Sequence, residues 1–496
     1  MFRESNVKKN RPINVLFIAS EAAPLIKVGG LGDVAGSLPK ALKNLLPNQL
    51  SGNELDIRLV IPFHSMINQK LENIQLVSSF LVKHSHGNIP ARVFLTNVEG
   101  VPVYLIEGGS ILSDQNVYSS NPEYDAKKYI FFSIAALEMV KNINWHVDII
   151  HANDWHTAIT CYDLKLRKVT DPFFRNTKSV LSMHNMPYMG AGSERILNEF
   201  GLPNCPCTEL PEWARSIPLP IGMYAADFLL TVSPNYANEI LTPDYGCGLQ
   251  DFLKKRKDSL SGILNGLDES KWDPITDNTL HFNYDSTQLN VRLKNKLALQ
   301  TEFGLEKDDK IPLFIMVTRM DQQKGVDLAI SALRMVADSS WQAILLGTGD
   351  PVIESACRSL EVEMPTKVRS VIRFDLNLSK RMYAGGDIIL IPSRYEPCGL
   401  TQMIAMRYGC VPLARSTGGL KDTIIDEVNL NHNNGFLFSE PIPEIMAQTL
   451  TRAISDYTDQ QKWQIIQSNG LHTDFSWEKS ANEYARIYIE LIEGEK

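Results

Sequence analysis

The sequence predicts an α/β fold built twice along one chain. Three observations carry that expectation. Short apolar and β-branched runs alternate with segments of helical periodicity, the pattern of parallel strands covered on both faces by helices. The 496 residues exceed what one hydrophobic core ordinarily organises, so two domains are expected. A Gly/Asp/Pro-rich stretch without apolar periodicity, GILNGLDESKWDPITDN (262–278), separates two series of such runs.

In chain order, the first series of strands is INVLFIA (13–19), IRLVIP (57–62), VPVYLIE (101–107), VDIIHAN (147–153), SVLSMHN (179–185) and FLLTVSP (228–234). Each is a short run of Val, Ile, Leu or Phe closed by a turn residue or a polar cluster. The second series is PLFIMVTR (312–319), WQAILLG (341–347), SVIRF (370–374), DIILIPS (387–393) and CVPLARS (410–416). The domains are accordingly expected at 1–264 and 265–475. The tail SWEKSANEYARIYIELIEGE (476–495) has apolar and aromatic residues at helical spacing after a candidate cap, Ser476, and is expected to form an amphipathic packing helix.

Composition narrows the function classes. The chain is 44% hydrophobic and 21% charged, with no low-complexity tract or short repeat, which argues against disorder and solenoids. A formal net charge of -8 argues against a nucleic-acid surface. The apolar run NVLFIAS near the start is too short for a membrane span or a secretory signal, so a cytoplasmic protein is expected. Seven cysteines without paired C-x2-C spacing read as reduced thiols, and Cys205-Pro206-Cys207 as a loop coincidence.

In open α/β sheets, ligands sit beyond the carboxyl ends of the strands. Residues that follow strands therefore carry most weight. After the first strand comes EAAPLIKVGGLGDVAGSLPKAL. Gly30, Gly32 and Ala35 match G-x-G-x-x-A, but Glu21 to Val28 intervene between strand and glycines, and the next strand ends IRLVIPFH with no carboxylate for a ribose. A GK[ST] phosphate loop is absent too. What remains is a mobile glycine-rich segment feeding a helix from about Asp33 to Leu45, with backbone N–H groups and Lys27 available to an anion. The alternative is a flexible turn with a solvated lysine.

In the second series, TRMDQQKG places Arg319 and Lys324 in one strand-to-helix loop, two cations suited to a diphosphate; solvated surface charge is the alternative. STGGL opens a helix with Gly418 and Gly419, and Gly347-Thr348-Gly349-Asp350 follows another strand; both suggest uncovered amides for phosphate. Three such loops on successive strand tips point to a phosphorylated ligand. In PSRYEPCGLTQ, Pro397 and Gly399 shape a loop that presents Glu396, either toward a ligand or as a helix cap.

The segments KVGGLGDV, HANDWHT, HN-x-x-Y-x-G, VSPNYANEI, GILNGLDESKWDP, TRMDQQKG, LLGTGDP, PSRYEPCGLTQ, STGGLKDT and DFSWEKSA resemble, in order from about residue 13 to 490, those of bacterial glycogen synthases and plant starch synthases. The resemblance implies the GT-B architecture, two Rossmann-like domains facing across a cleft with a C-terminal helix (476–496) crossing back to the first. It implies transfer of glucose from ADP-glucose to the non-reducing end of an α-1,4-glucan, glycogen or a maltooligosaccharide, with retention of configuration and without a cofactor or metal.

Residue by residue, the resemblance implies that Lys27, Gly29, Gly30 and Asp33 hold the donor from the first domain. Arg319 and Lys324 would neutralise the diphosphate, with backbone donors at Gly349, Gly418 and Gly419. Glu396 and the backbone of Cys398, Gly399, Leu400 and Thr401 would hold glucose hydroxyls. His184, Asn185 and Asn265 would lie beside the sugar, and Asp154 would be the acid of the D-W-H motif. Phe374 would stack on adenine or serve the core. Of these, His184, Arg319, Lys324, Glu396 and Asp154 are the expected catalytic set. The physical logic is that cleaving the sugar–phosphate bond develops negative charge on the leaving diphosphate, which fixed cations and N–H groups stabilise.

A metal reading of His151, Asp154 and His156 competes, but the chain has no D-x-D sequence to support a metal-held diphosphate. The segment after HNMPYMG, up to Met223, departs from the family pattern, with Pro220 where a lysine often stands. This leaves the acceptor side the least defined. Ile404 occupies the place of a second glutamate found in related transferases, as the synthase branch implies.

Overall fold

The computed structural model describes residues 11–67, 71, 73–109, 111, 116–427 and 431–494. Residues 1–10, part of the start read for a leader, and 495–496, the end of the expected tail, lie outside them. In chain order the first half runs β1 (Ile13–Ile18), α1 (Gly30–Asn44), β2 (Leu55–Pro62), β3 (Gln75–Val82), β4 (Ile89–Val98), β5 (Val101–Gly108), α2 (Pro122–Asn142), β6 (Ile149–Asn153), α3 (Asp154–Thr170), β7 (Lys178–Met183), α4 (Glu194–Glu199), α5 (Pro218–Ala225), β8 (Phe228–Thr231), α6 (Pro234–Glu239), α7 (Gln250–Lys255) and β9 (Leu260–Gly262). The second half runs α8 (Leu289–Glu302), β10 (Leu313–Val317), α9 (Val326–Met335), β11 (Gln342–Gly347), α10 (Pro351–Glu363), β12 (Val368–Ile372), α11 (Leu376–Gly385), β13 (Ile388–Ile391), α12 (Thr401–Arg407), β14 (Val411–Arg415), α13 (Gly418–Thr423), β15 (Phe436–Phe438), α14 (Pro443–Thr458), α15 (Gln460–Leu471) and α16 (Trp477–Glu493).

The chain divides into two compact units, one of Met1–Val232, Ala237–Gly266 and Trp477–Lys496, the other of Ser233–Tyr236 and Leu267–Ser476. Asn265 therefore lies in the first unit rather than at the head of the second, and the four residues after Val232 join the second unit. Within the second unit Leu267 N donates to Phe475 O at 2.7 Å, so the segment that enters it runs beside the one that leaves.

The first unit is a nine-stranded sheet in the order β3-β4-β5-β2-β1-β6-β7-β8-β9, parallel except where β4 pairs antiparallel with β3 and β5. The second is a six-stranded, wholly parallel sheet in the order β12-β11-β10-β13-β14-β15. Its central strands are buried along nearly their whole length, as expected of strands covered on both faces. All eleven predicted strands are present. β3, β4, β9 and β15 were not predicted: β3 is a half-exposed edge strand with a mixed pattern, QLVSSFLV, and β9 and β15 are three residues each.

The tail helix α16 buries Trp477, Ala481, Tyr484, Ala485 and Tyr488 in the same apolar cluster as Val15 and Phe17 of β1. Those positions repeat at helical spacing and make one stripe. A polar lock adds direction to the apolar contact. His151 on β6, fully buried, hydrogen-bonds Tyr488 Oη at 2.5 Å through Nδ1 and Ser182 Oγ at 2.7 Å through Nε2. The last helix is thus an integral piece of the first unit's core.

Candidate active site

Among its parallel strands each sheet reverses its order once, in the first unit between β1 and β6 and in the second between β10 and β13. Loops leaving the two strands of such a switch point diverge, and a crevice opens at their carboxyl ends. Lys27 and Asp154 follow β1 and β6; Lys324 and Glu396 follow β10 and β13. Each group thus sits where the topology of its own sheet makes room for a ligand.

In the first unit, the loop after β1 folds back on α1. Ala23 N donates to Gly32 O at 2.8 Å, and a Cβ on Gly36 would lie 2.4 Å from Ala23 O, so that glycine is required by close approach. Gly29 caps α1, which starts at Gly30 rather than near Asp33. The expectation of a mobile loop with free amides is corrected here. The carboxylate of Glu21, wholly buried, accepts hydrogen bonds from Val28 N, from Gly29 N at 3.1 Å and from Tyr118 Oη at 2.9 Å. Lys27 is half exposed, and its Nζ lies 2.6 Å from Asp33 Oδ2.

Asp154 opens α3 in the left-handed region, with φ 56°. Its Oδ1 accepts the His184 N–H at 2.7 Å, and the carboxylate also takes the Asn185 N–H. This bracket holds the HN pair at the tip of β7. Asp154, expected among the catalytic residues, thereby orients the HN pair. Burial raises its carboxyl above the usual range, opposed by His184 and the two amides.

His184 Nε2 lies 2.9 Å from Asn153 Oδ1, while Asn153 Nδ2 donates to Ile18 O at 3.0 Å. Since the Asn153 amide nitrogen is committed to a carbonyl, its oxygen is the acceptor, and His184 carries its proton on Nε2. Nδ1 is then a lone-pair acceptor. Burial lowers the His184 pKa and keeps the ring neutral, with Asp154 acting the other way. Asn185 Oδ1 and Asn265 Oδ1 are buried without a hydrogen-bond partner. Orphaned acceptors of this kind fit a ligand's hydroxyl groups.

The metal reading of this region does not hold. His151 is committed to Tyr488 and Ser182, and His156 is packed among Trp155, Tyr129 and Tyr118 with centroids 4.3, 4.6 and 4.8 Å away. Among the described residues no group of three or more His, Cys, Asp or Glu is gathered for a metal ion.

In the second unit, Asp321 Oδ1 accepts the Lys324 N–H at 3.0 Å, capping the turn at residues 322–324. Gly325 follows with φ 65°, and a Cβ there would lie 2.1 Å from Pro392 O. That close approach brings the loops after β10 and β13 together. Lys324 Nζ consequently reaches Glu396 Oε2 at 2.6 Å, and Ser393 Oγ donates to the same oxygen at 2.8 Å. Both members of the pair are largely buried. Arg319 remains well exposed, 3.2 Å from Asp321 Oδ2.

The glycine loops of this unit prove to be packing devices first. A Cβ on Gly418 would lie 1.9 Å from Glu396 O, and one on Gly419 2.1 Å from Cys398 O. Gly419 N donates to Glu396 O and Pro397 O, both at 3.2 Å, so its amide is not free for phosphate as expected. Gly349 N is likewise engaged by Glu354 Oε1 at 2.9 Å, and Met320 pairs with Gly349 in a short parallel bridge. Gln402 Nε2 ties down Cys398 O at 3.0 Å and Gly399 O at 3.1 Å, ahead of Leu400 and Thr401 at the start of α12. Phe374 is 82% exposed, which excludes its core alternative.

The structure thus joins Lys324 with Glu396, and Asp154 with His184 and Asn185. Phe374 stays apart among the described contacts. Sequence reasoning missed Glu21, Asn153, Tyr118 and Ser393 as site-building residues. Glu21, Asn153 and Ser393 lie in EAAPLIKVGG, HANDWHT and PSRYEPCGLTQ, but their partners are set by the fold.

Residues 14–255 match the family model described as starch synthase catalytic domain, and residues 300–468 that of glycosyl transferases group 1. A glycogen synthase of Geotalea daltonii is 38% identical over 96% of this chain and 98% of its own. One from Thermotoga maritima is 35% identical over the same shares. The solved catalytic domain of starch synthase IV from Arabidopsis thaliana, bound to ADP and acarbose, superposes with a TM-score of 0.85 at 31% identity, covering 97% of this chain and 100% of that one. A sucrose-phosphate synthase from Thermosynechococcus elongatus shares the fold, with a TM-score of 0.60 at 16% identity over 97% of this chain and 100% of that one.

Proposed function

The chain belongs to the glycogen synthase and starch synthase family of GT-B glucosyltransferases, and we propose that it elongates an α-1,4-glucan with glucose from ADP-glucose, retaining the anomeric configuration. The observation that carries the reading is the Lys324–Glu396 pair, 2.6 Å apart at the switch point of the second sheet, in a chain similar over nearly its full length to glycogen synthases. Lys324 and Arg319 supply the positive charge that the departing diphosphate needs, and charge held in place before reaction costs no reorganisation when it is used. Glu396 fixes Lys324 in the resting enzyme and takes glucose hydroxyls when the phosphate draws the ammonium away.

From the first unit, Lys27 takes the donor's phosphate. His184 Nδ1 and the side chains of Asn185 and Asn265 accept or donate to sugar hydroxyls. The backbone from Cys398 to Thr401 lines the glucose, and Phe374, already exposed, is offered to the adenine. Gly349, Gly418 and Gly419 act by letting their loops close on one another. Asp33 holds Lys27 until the donor arrives.

Incubation with ADP-glucose and maltohexaose tests the reading by ADP release and by products longer than the primer. Digestion of the new linkage by an α-specific glucosidase tests retention. Parallel kinetics with UDP-glucose decide the base. Absence of ADP release at any donor concentration would leave only a glucan-binding protein of the same fold.

A further inference from the structure

In the loop after β1, one carboxylate stands where a phosphate was expected. Glu21 has no exposed surface, yet both of its oxygens are surrounded by donors: Val28 N, Gly29 N at 3.1 and 3.2 Å, and Tyr118 Oη at 2.9 Å. Gly32 presses on it from the first turn of α1, where an added Cβ would lie 3.1 Å from Glu21 Oε2. Tyr118 is itself fastened, sharing a 2.9 Å hydrogen bond with Ser20 Oγ. The first amides of a helix attract anions. Here the chain supplies its own, and the residue it leaves outside that arrangement is Lys27, half exposed and 2.6 Å from Asp33.

We propose that Glu21 is a positioning residue for donor binding: its buried carboxylate fills the amide cradle at the start of α1 and so fixes the backbone from which Lys27 reaches the donor phosphate. Two consequences separate this from a loop that simply wraps phosphate. The amides of Val28 and Gly29 are already engaged and make no donor contact. The grip on phosphate falls instead on the Lys27 ammonium, whose placement depends on a group that never touches substrate. Burial raises the Glu21 carboxyl above its ordinary value, and the hydrogen bonds from Val28, Tyr118, Gly29 and Gly32 oppose that rise. An amide in its place would turn an NH2 against N–H donors.

This rests on Lys27 being a donor contact, as assigned above, so the test has one arm that needs turnover and one that does not. Glu21→Gln is compared with Lys27→Ala and with the double variant in donor kinetics. The expected result is a rise in KM for ADP-glucose of about tenfold in Glu21→Gln, with kcat changed less than about threefold. In the Lys27→Ala background the same substitution should change KM less than about twofold, because the two residues act as one unit. Multiplicative effects, or an unchanged KM in Glu21→Gln, overturn the proposal.

The second arm is amide hydrogen exchange over residues 26–32 of the full chain without ligand. Protection at Val28 and Gly29 should fall by about tenfold or more in Glu21→Gln. Unchanged protection overturns the cradle even if the protein turns over no ADP-glucose at all. If exchange changes as expected and the unsubstituted enzyme shows no turnover, the donor assignment has failed and the cradle has not. Tyr118→Phe, which removes one donor and keeps the ring, should move exchange in the same direction by a smaller factor. It serves in place of Glu21→Gln should that variant not fold.

Discussion

At the scale of single residues, Lys324 and Glu396 show how a resting site stores its charges. They are 72 positions apart in sequence, and only the Gly325–Pro392 approach makes them neighbours. Truncating either strands the other, at a cost of about 1–3 kcal/mol in stability. Lys324→Ala and Glu396→Ala should therefore each lose most turnover and also unfold at lower denaturant, yet keep native circular dichroism. Near-normal kcat in both would remove them from the chemistry. His151 offers a different reading. Burial lowers its pKa from 6.5 to about 3, so below pH 6.5 the unfolded chain takes a proton that the folded one refuses. Its contribution is present above pH 6.5 and lost as pH falls, at roughly 1.4 kcal/mol per pH unit. Urea unfolding at pH 7 and pH 5.5 should show a smaller pH dependence in His151→Gln than in the parent; equal slopes would contradict the burial assigned here. Arg319, Lys324 and Glu396 were legible as candidates because they follow strands. Their pairing was not, since it depends on a contact between two loops that no local pattern records.

At the scale of elements, glycine has two distinct uses in this chain. A Cβ at Gly419 meets a rigid carbonyl at 2.1 Å, whereas at Gly30 it meets nothing within 4 Å. Gly419→Ala should push α13 off the Glu396 loop, lowering the unfolding midpoint and cutting turnover at least about tenfold. Gly30→Ala should leave stability within about 0.5 kcal/mol, and any loss it causes should appear in the KM for the donor. The reverse ranking in thermal unfolding would refute this division. The predicted strands were legible because a parallel strand buried on both faces must be apolar throughout. The hairpin β3–β4 was not, because QLVSSFLV alternates imperfectly and lies half exposed at the sheet edge. The start of α1 was misplaced for a third reason: Glu21, nine residues upstream of Gly30, supplies the anion that lets a helix begin on glycine.

For the molecule as a whole, length and the Gly/Asp/Pro-rich stretch announced two domains, and the crossing at Gly266–Leu267 falls inside that stretch. Each unit has its own apolar cluster, so unfolding should depart from a single cooperative step. Calorimetry with hydrogen exchange should show Tyr488→Ala, which cuts into the first cluster at a cost of about 3–5 kcal/mol, lowering one transition. Lys324→Ala should lower the other. One coincident transition, moved equally by both variants, would mean that the units melt as one. What a sequence cannot announce is which unit owns a given segment; Ser233–Tyr236 begin two residues after β8 ends yet belong with the second unit. The ownership of α16 has a consequence in time. A nascent chain emerges from its first residue, so the unit begun first lacks Trp477, Tyr484 and Tyr488 until nearly everything else has been synthesised, and His151 holds Ser182 while it waits for the Tyr488 hydroxyl. The half of the protein translated earliest is the half completed last.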